Sequence, residues 1–119
     1  MPLQFPLDGS RLWPYDGHVT FEIEFTSDAH QDFRQLDAHI RSAIREALET
    51  YLRHEPTKVS KSRIKRLRKL HRPQYRLRIV DHRVYYDVDL DGERVTVLGV
   101  VSKAASYDWL ADNSIEEDD

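Results

Sequence analysis

Apolar and polar residues alternate from His18 to Thr26, with Val19, Phe21, Ile23 and Phe25 on one side and Thr20, Glu22 and Glu24 on the other. Side chains of a strand project to opposite faces with period two, so this stretch predicts a strand with one buried face. The period then changes. Phe33, Leu36, Ile40, Ala43/Ile44, Ala47/Leu48 and Tyr51/Leu52 recur at steps of three and four with charges between them, which predicts amphipathic helix up to about His54. Thr26-Ser27-Asp28 offers capping oxygens at its start, and a break near Asp37 divides it into a helical hairpin. Glu55-Pro56 ends it, because a proline disfavours helix in the residue before it.

Three strand-like runs follow Pro73: Tyr75–Val80, Arg83–Leu90 and Glu93–Val101. Asp91-Gly92 between the last two predicts a two-residue hairpin loop. Before them, Lys58 to Arg72 has only Val59, Ile64, Leu67 and Leu70 as apolar positions, a spacing that allows a short helix or an irregular arm. Residues 103–110 predict a short closing helix carrying Tyr107 and Trp109. The expected fold is α+β: a small antiparallel sheet, made of the N-terminal strand and a three-stranded C-terminal meander, packed by two N-terminal helices and a short C-terminal helix.

The 119 residues correspond to one domain, expected over 18–111. Residues 1–17, with three prolines and two glycines and no periodicity, predict an irregular extension, and residues 112–119, with five acids in eight, a flexible acidic tail. The absence of cysteine excludes disulfides and thiolate metal sites. No apolar run approaches the ~18 residues of a membrane span, and the N-terminus lacks the order of a secretory signal. A cytoplasmic protein with no membrane association is expected. His18, His30, His39, His54, His71 and His82 show no metal-binding spacing, and none of the four glycines belongs to a phosphate loop, so neither metal nor cofactor is expected.

Charge changes the picture more than composition does. The formal net charge is −3, yet Lys58 to Arg83 holds eleven Lys or Arg residues against one acid, Asp81; this segment carries +10 and the rest of the chain −13. So one-sided a stretch sets up a local field that draws a polyanion or an acidic partner. With Asp81-His82 as a two-residue loop, Val80 opposes Arg83, Arg78 opposes Tyr85 and Arg76 opposes Asp87. One face then carries Arg76, Arg78, Arg83, Tyr85 and Asp87, and the other carries Tyr75, Leu77, Ile79, Val84, Tyr86 and Val88 as a core-facing set. Three guanidiniums on one exposed patch are forks suited to phosphate oxygens. Lys103 and Tyr107 fall where the third strand runs out toward that patch. Cations beside a phosphate, a proton acceptor for a 2′-OH and an aromatic to stack a base are the requirements of RNA cleavage.

The runs Ile64-Lys-Arg-Leu, Arg72-Pro-Gln-Tyr-Arg-Leu-Arg-Ile-Val-Asp-His-Arg-Val-Tyr-Tyr-Asp-Val and Val97-Leu-Gly-Val-Val-Ser-Lys, with Tyr107, resemble the RelE/ParE superfamily of bacterial toxin–antitoxin toxins over about residues 19–110. The resemblance implies a compact α+β toxin neutralised by a cognate antitoxin and, in RelE-type members, a ribosome-dependent mRNA endoribonuclease (an mRNA interferase) that inhibits translation. By this likeness the basic active-site positions fall on Arg76, Arg78 and Arg83, the later cation on Lys103 and the stacking or proton-handling tyrosine on Tyr107. Arg78, Arg83, Lys103 and Tyr107 are the expected catalytic set; Arg76 and the arm residues Lys65, Arg66, Arg68, Lys69 and Arg72 are expected to bind RNA.

The chain departs from nucleolytic members in having arginines where they often carry lysines. Arginine stays protonated, so Arg76 and Arg78 can clamp phosphate but not accept a proton, and a base is left to Lys103, Tyr107, His82 or a group that the sequence does not single out. A ParE-like inhibitor of DNA gyrase without nuclease activity, or an inactive member that binds antitoxin or RNA, fits the same residues. So do blander readings, with Arg76 and Arg78 as a solvated strand face and Tyr107 and Trp109 as core plugs. The acidic tail is either inert or folds over the basic patch and screens it.

Overall fold

The computed structural model of the chain describes residues 19–117. The expected irregular extension lies outside them, as do the last two residues of the acidic tail. The order of elements is β1 (Glu22–Phe25), α1 (Ser27–Arg34), α2 (Ala38–Tyr51), β2 (Ile64–Arg66), β3 (Leu70–Arg72), β4 (Tyr75–Ile79), β5 (His82–Asp89), β6 (Arg94–Ser102), α3 (Ser106–Asn113) and β7 (Ile115–Glu116).

Each switch of element has a local cause. The Thr26 hydroxyl accepts the Ala29 N–H at 3.1 Å and starts α1. The helical pattern breaks over Gln35–Asp37, where the Arg41 guanidinium donates to the Leu36 carbonyl and holds the two helices as a hairpin. The second helix ends at Tyr51, three residues short of the expected His54, with the Leu52 N–H closing on the Leu48 carbonyl. The chain then turns through a buried Pro56.

Five strands form one sheet in the order β1-β6-β5-β4-β2, and β3 pairs with β7 in a separate two-stranded ladder. The meander β4-β5-β6 is antiparallel as expected. The N-terminal strand is not: β1 runs parallel to β6, with Glu22 beside Arg94 and Phe25 beside Val97. The sheet is therefore mixed. A parallel neighbour requires a crossover, and the helices with the arm and the meander supply it. The basic arm is neither helix nor wholly irregular; Ile64–Arg66 pairs antiparallel with β4 as an edge strand.

Phe21, Ala29, Ile44, Leu48 and Leu52 from the N-terminal half close on Ile64, Leu77, Ile79, Val84, Tyr86, Val95, Val97 and Val100 of the sheet. Each such aliphatic side chain, taken from water, favours folding by roughly 1.5–3 kcal/mol. This burial accounts for α1 and α2 lying on one face of the sheet.

Both hairpins differ in detail from expectation. Arg78 opposes Arg83 and Arg76 opposes Tyr85, so the loop is Val80-Asp81 and not Asp81-His82. The faces stay as expected, because a shift of two residues leaves every side chain on its own side. The observed register stacks Tyr75 on Tyr86, with centroids 5.4 Å apart and planes 16° apart. It also frees Asp87 to accept the Gln74 N–H at 2.9 Å and Arg72 Nε at 2.8 Å. The second loop spans four residues, Leu90–Glu93, between paired Asp89 and Arg94. The Asp89 carboxylate accepts the Gly92 N–H at 3.1 Å, and Glu93, not Gly92, takes the left-handed conformation with φ 52°.

Among the described residues no helix is long and apolar enough to cross a membrane.

Candidate functional site

The pairing sorts the sheet into two faces. The rows Ile64–Leu77–Val84–Val100 and Arg66–Tyr75–Tyr86–Val97 look toward the helices. The rows Lys65–Arg76–Tyr85–Gly99 and Arg78–Arg83–Val101 look away from them. A bulge in β6 makes this sorting possible: Tyr85 opposes Gly99 while Tyr86 opposes Val97, so Leu98 is an extra residue and both strands regain their phase.

The three arginines do converge, but not as one exposed patch. Arg78 is exposed, Arg76 half-buried and Arg83 buried, with 6% of its surface accessible. The Arg83 guanidinium donates from one nitrogen to the Val80 carbonyl at 3.0 Å and the His82 carbonyl at 2.9 Å. Burial, and then the charges of Arg76 and Arg78, push its pKa below the usual arginine value. Among the described residues no carboxylate forms an ion pair with any of the three. Among the described residues Arg76 Nε is buried and has no hydrogen-bond partner. Concentrated positive charge with an unsatisfied donor at its centre suits an anion with several acceptor oxygens.

Part of this face is roofed. Trp109 of α3 lies on Tyr85, with ring centroids 4.8 Å apart and planes 8° apart, and Tyr85 is buried as a result. The roof sits where it does because a Cβ at position 99 would run into the indole. Trp109 is thus a plug, whereas Tyr107 is 85% exposed. Trp109 and Gly99 were absent from the expected site. A lone glycine inside a strand pattern is a sign of close approach by another group, and that sign was there to be used.

Lys103 is exposed, and its N–H donates to the Asp81 carbonyl at 2.7 Å, which holds the end of β6 against the β4-β5 loop next to Arg78 and Arg83. His82 opposes Ile79 and therefore belongs to the helix side, where it borders a shallow apolar pocket with His39 and Ile40. It does not face the arginines.

The arm cations divide by use. Arg66 opposes Tyr75 on the helix-facing side, packs 5.3 Å over its ring and donates to the Leu67 and Gln74 carbonyls, each at 2.8 Å. Arg72 is ion-paired with Asp87. Arg63, outside the expected set, packs over Tyr51 and donates to the Arg78 carbonyl at 3.3 Å. Lys65 shares the face of Arg76, and Lys65, Arg68 and Lys69 are exposed without an ion pair among the described residues.

A mixed sheet with a helical hairpin on one side and, on the other, a basic row without an ion pair among the described residues defines a small α+β protein. The family described as "ParE toxin of type II toxin-antitoxin system, parDE" matches residues 23–107, and the chain belongs to it. It is a type II toxin–antitoxin toxin of the RelE/ParE superfamily. Its fold is similar to that in the RelBE2 toxin–antitoxin complex of Mycobacterium tuberculosis, at 27% identity and a TM-score of 0.61, over 71% of this chain and 99% of that one. It is also similar to an archaeal RelE–RelB complex from Pyrococcus horikoshii, with 20% identity, a TM-score of 0.59 and 71% and 96% covered. The YoeB/ParE toxin of Agrobacterium tumefaciens follows, with 19% identity, a TM-score of 0.57 and 69% and 98% covered. No curated protein sequence matches the chain.

Proposed function

We propose that this toxin is a RelE-like, ribosome-dependent mRNA endoribonuclease that inhibits translation, held silent by a cognate antitoxin. The observation that carries the reading is the cluster of Arg76, Arg78 and Arg83, which among the described residues has no ion-paired carboxylate and leaves the buried Arg76 Nε unpartnered. Attack of a 2′-OH on the adjacent phosphate puts a second negative charge on the phosphoryl oxygens. Arg78 and Arg76 would donate to those oxygens, while buried Arg83 raises the positive potential beneath them. A donor preorganised toward a developing charge contributes on the order of 10²–10³ in rate.

Lys103, held next to the loop by its own backbone, would handle the proton of the 2′-OH or the leaving oxygen, and exposed Tyr107 would stack a base. Lys65, Arg68 and Lys69 extend the phosphate track along the arm, whereas Arg66 and Arg72 shape it. The toxin–antitoxin complexes among the similar structures support an antitoxin as partner, and coverage of the basic face by that antitoxin is our reading of the charge.

One observation favours a second reading. With His82 on the helix side, Lys103 and Tyr107 are the proton carriers left from the expected set, which suits a ParE-like gyrase inhibitor without nuclease activity.

Tightly controlled expression in a bacterial host, with growth followed and mRNA 5′ ends mapped within minutes, tests the proposal. Arrest with new cuts inside translated codons, lost in Arg78→Ala, is the expected result. Arrest with intact mRNA and DNA damage would replace it by the gyrase reading. Exposed Arg78 is the better variant here than buried Arg83, whose removal disturbs the loop as well.

A further inference from the structure

The acidic tail does not hang free of the arm. Helix α3 closes at Ser114, whose N–H donates to the Leu110 carbonyl at 3.0 Å, and the chain then turns back along β3. Ile115 opposes Arg72, Glu116 opposes Leu70, and the Glu117 N–H donates to the Lys69 carbonyl at 3.0 Å. The segment that follows the helix, Ile115-Glu116-Glu117, brings two carboxylates to a stretch that holds Arg68, Lys69 and Arg72. The direction is opposite to a simple folding of the tail over the arginine row: it is the arm, not the sheet face, that receives it.

Apolar burial does not hold this ladder. Ile115 is 52% exposed and Glu116 and Glu117 are exposed. Two residues of strand pairing are marginal in water. Besides its few backbone hydrogen bonds, the ladder is left with the attraction of opposite charges that make no direct ion pair with one another among the described residues. Salt screens that attraction, and another polyanion can replace it. An extended acidic strand thus lies along the basic arm, where a phosphate backbone drawn to the same cations would compete with it.

We propose that Ile115–Glu117 is a self-masking strap, docked on the arm by the β3-β7 ladder and displaced when a nucleic-acid backbone takes the arm. The inference rests on the RNA-binding reading above.

The test compares the full chain, Glu116→Gln/Glu117→Gln and a truncation ending at Ser114 for binding to a fluorescent 2′-O-methyl oligouridylate, which offers phosphates but no attacking hydroxyl. Hydrogen exchange at Leu70–Arg72 is followed in parallel. At low salt the truncation is expected to bind about tenfold more tightly than the full chain, and the double Gln variant to fall between them. The difference should shrink at about 200 mM salt, where all three bind more weakly. The Leu70–Arg72 amides should lose protection on truncation. Equal affinities at low salt, with or without a change in exchange, would overturn the strap and leave the RNA reading standing. Absence of binding by all three would overturn the RNA reading and the strap together.

Discussion

The indole of Trp109 lies flat on the phenol of Tyr85, 4.8 Å between centroids, over a strand position, Gly99, that has no side chain. This contact joins the last helix to the middle of the sheet on the side away from the other two helices. It covers part of the face that carries Arg76, Arg78 and Arg83, and it fixes α3, whose first-turn Tyr107 is exposed.

Replacing Gly99 by Ala is expected to force the indole off Tyr85. Overpacking of this kind costs roughly 1–3 kcal/mol. Urea denaturation should show the loss in the midpoint, and Trp109→Ala in the same background should remove most of the further penalty, because the two changes share one cause.

Arg78 and Arg83 should separate function from stability. Arg78 is exposed, so Arg78→Ala should leave stability within about 0.5 kcal/mol while abolishing growth arrest. Arg83→Ala leaves the Val80 and His82 carbonyls without their donor and is expected to cost about 1–3 kcal/mol, partly offset by relief of repulsion from Arg76 and Arg78. Thermal unfolding beside toxicity assays distinguishes the two.

Tyr86 donates to the Pro56 carbonyl at 2.6 Å from within the core, and burial pushes its phenol well above the usual tyrosine pKa. Tyr86→Phe keeps the stack on Tyr75 but leaves that carbonyl unpaired. A loss of about 1–2 kcal/mol in chemical denaturation is expected, with the start of the basic arm loosened and faster amide exchange there.

Asp32 accepts the Val100 N–H at 3.2 Å, yet its pKa is raised, chiefly by burial, with the Val100 hydrogen bond opposing and Asp28 adding. The folded form then holds a proton more firmly than the unfolded chain. Its ionisation opposes folding above that raised pKa, and the penalty fades as pH falls through the window between the folded and unfolded values. Asp32→Asn keeps an acceptor for Val100 and should be slightly stabilising at pH 7, a gain reduced by solvent screening of this half-exposed group, with the advantage lost toward the ordinary aspartate range. Unfolding midpoints measured across that range provide the check.

Much of this protein is local and was legible in the order of its residues. The period-two run at Phe21, Ile23 and Phe25, the three-and-four steps from Phe33 to Leu52, the Thr26 cap and the two faces of Tyr75–Val88 each depend on neighbours a few positions apart. The family resemblance rested on the same local runs, and so did the meeting of Arg76, Arg78 and Arg83 on one side of the sheet. Alternation cannot distinguish registers two residues apart, so the Val80-Asp81 loop and the pairing of Arg78 with Arg83 came from contacts at both ends of the hairpin: Tyr75 on Tyr86 at one and the Lys103 N–H on Asp81 at the other. The parallel course of β1, the burial of Arg83, the roof of Trp109 over Gly99 and the return of Ile115–Glu116 to the arm likewise join residues far apart in the chain. Side-chain period and capping belong to the sequence because they act within a turn or a strand; strand direction, register and the depth of a charge were decided only when distant segments competed for the same space.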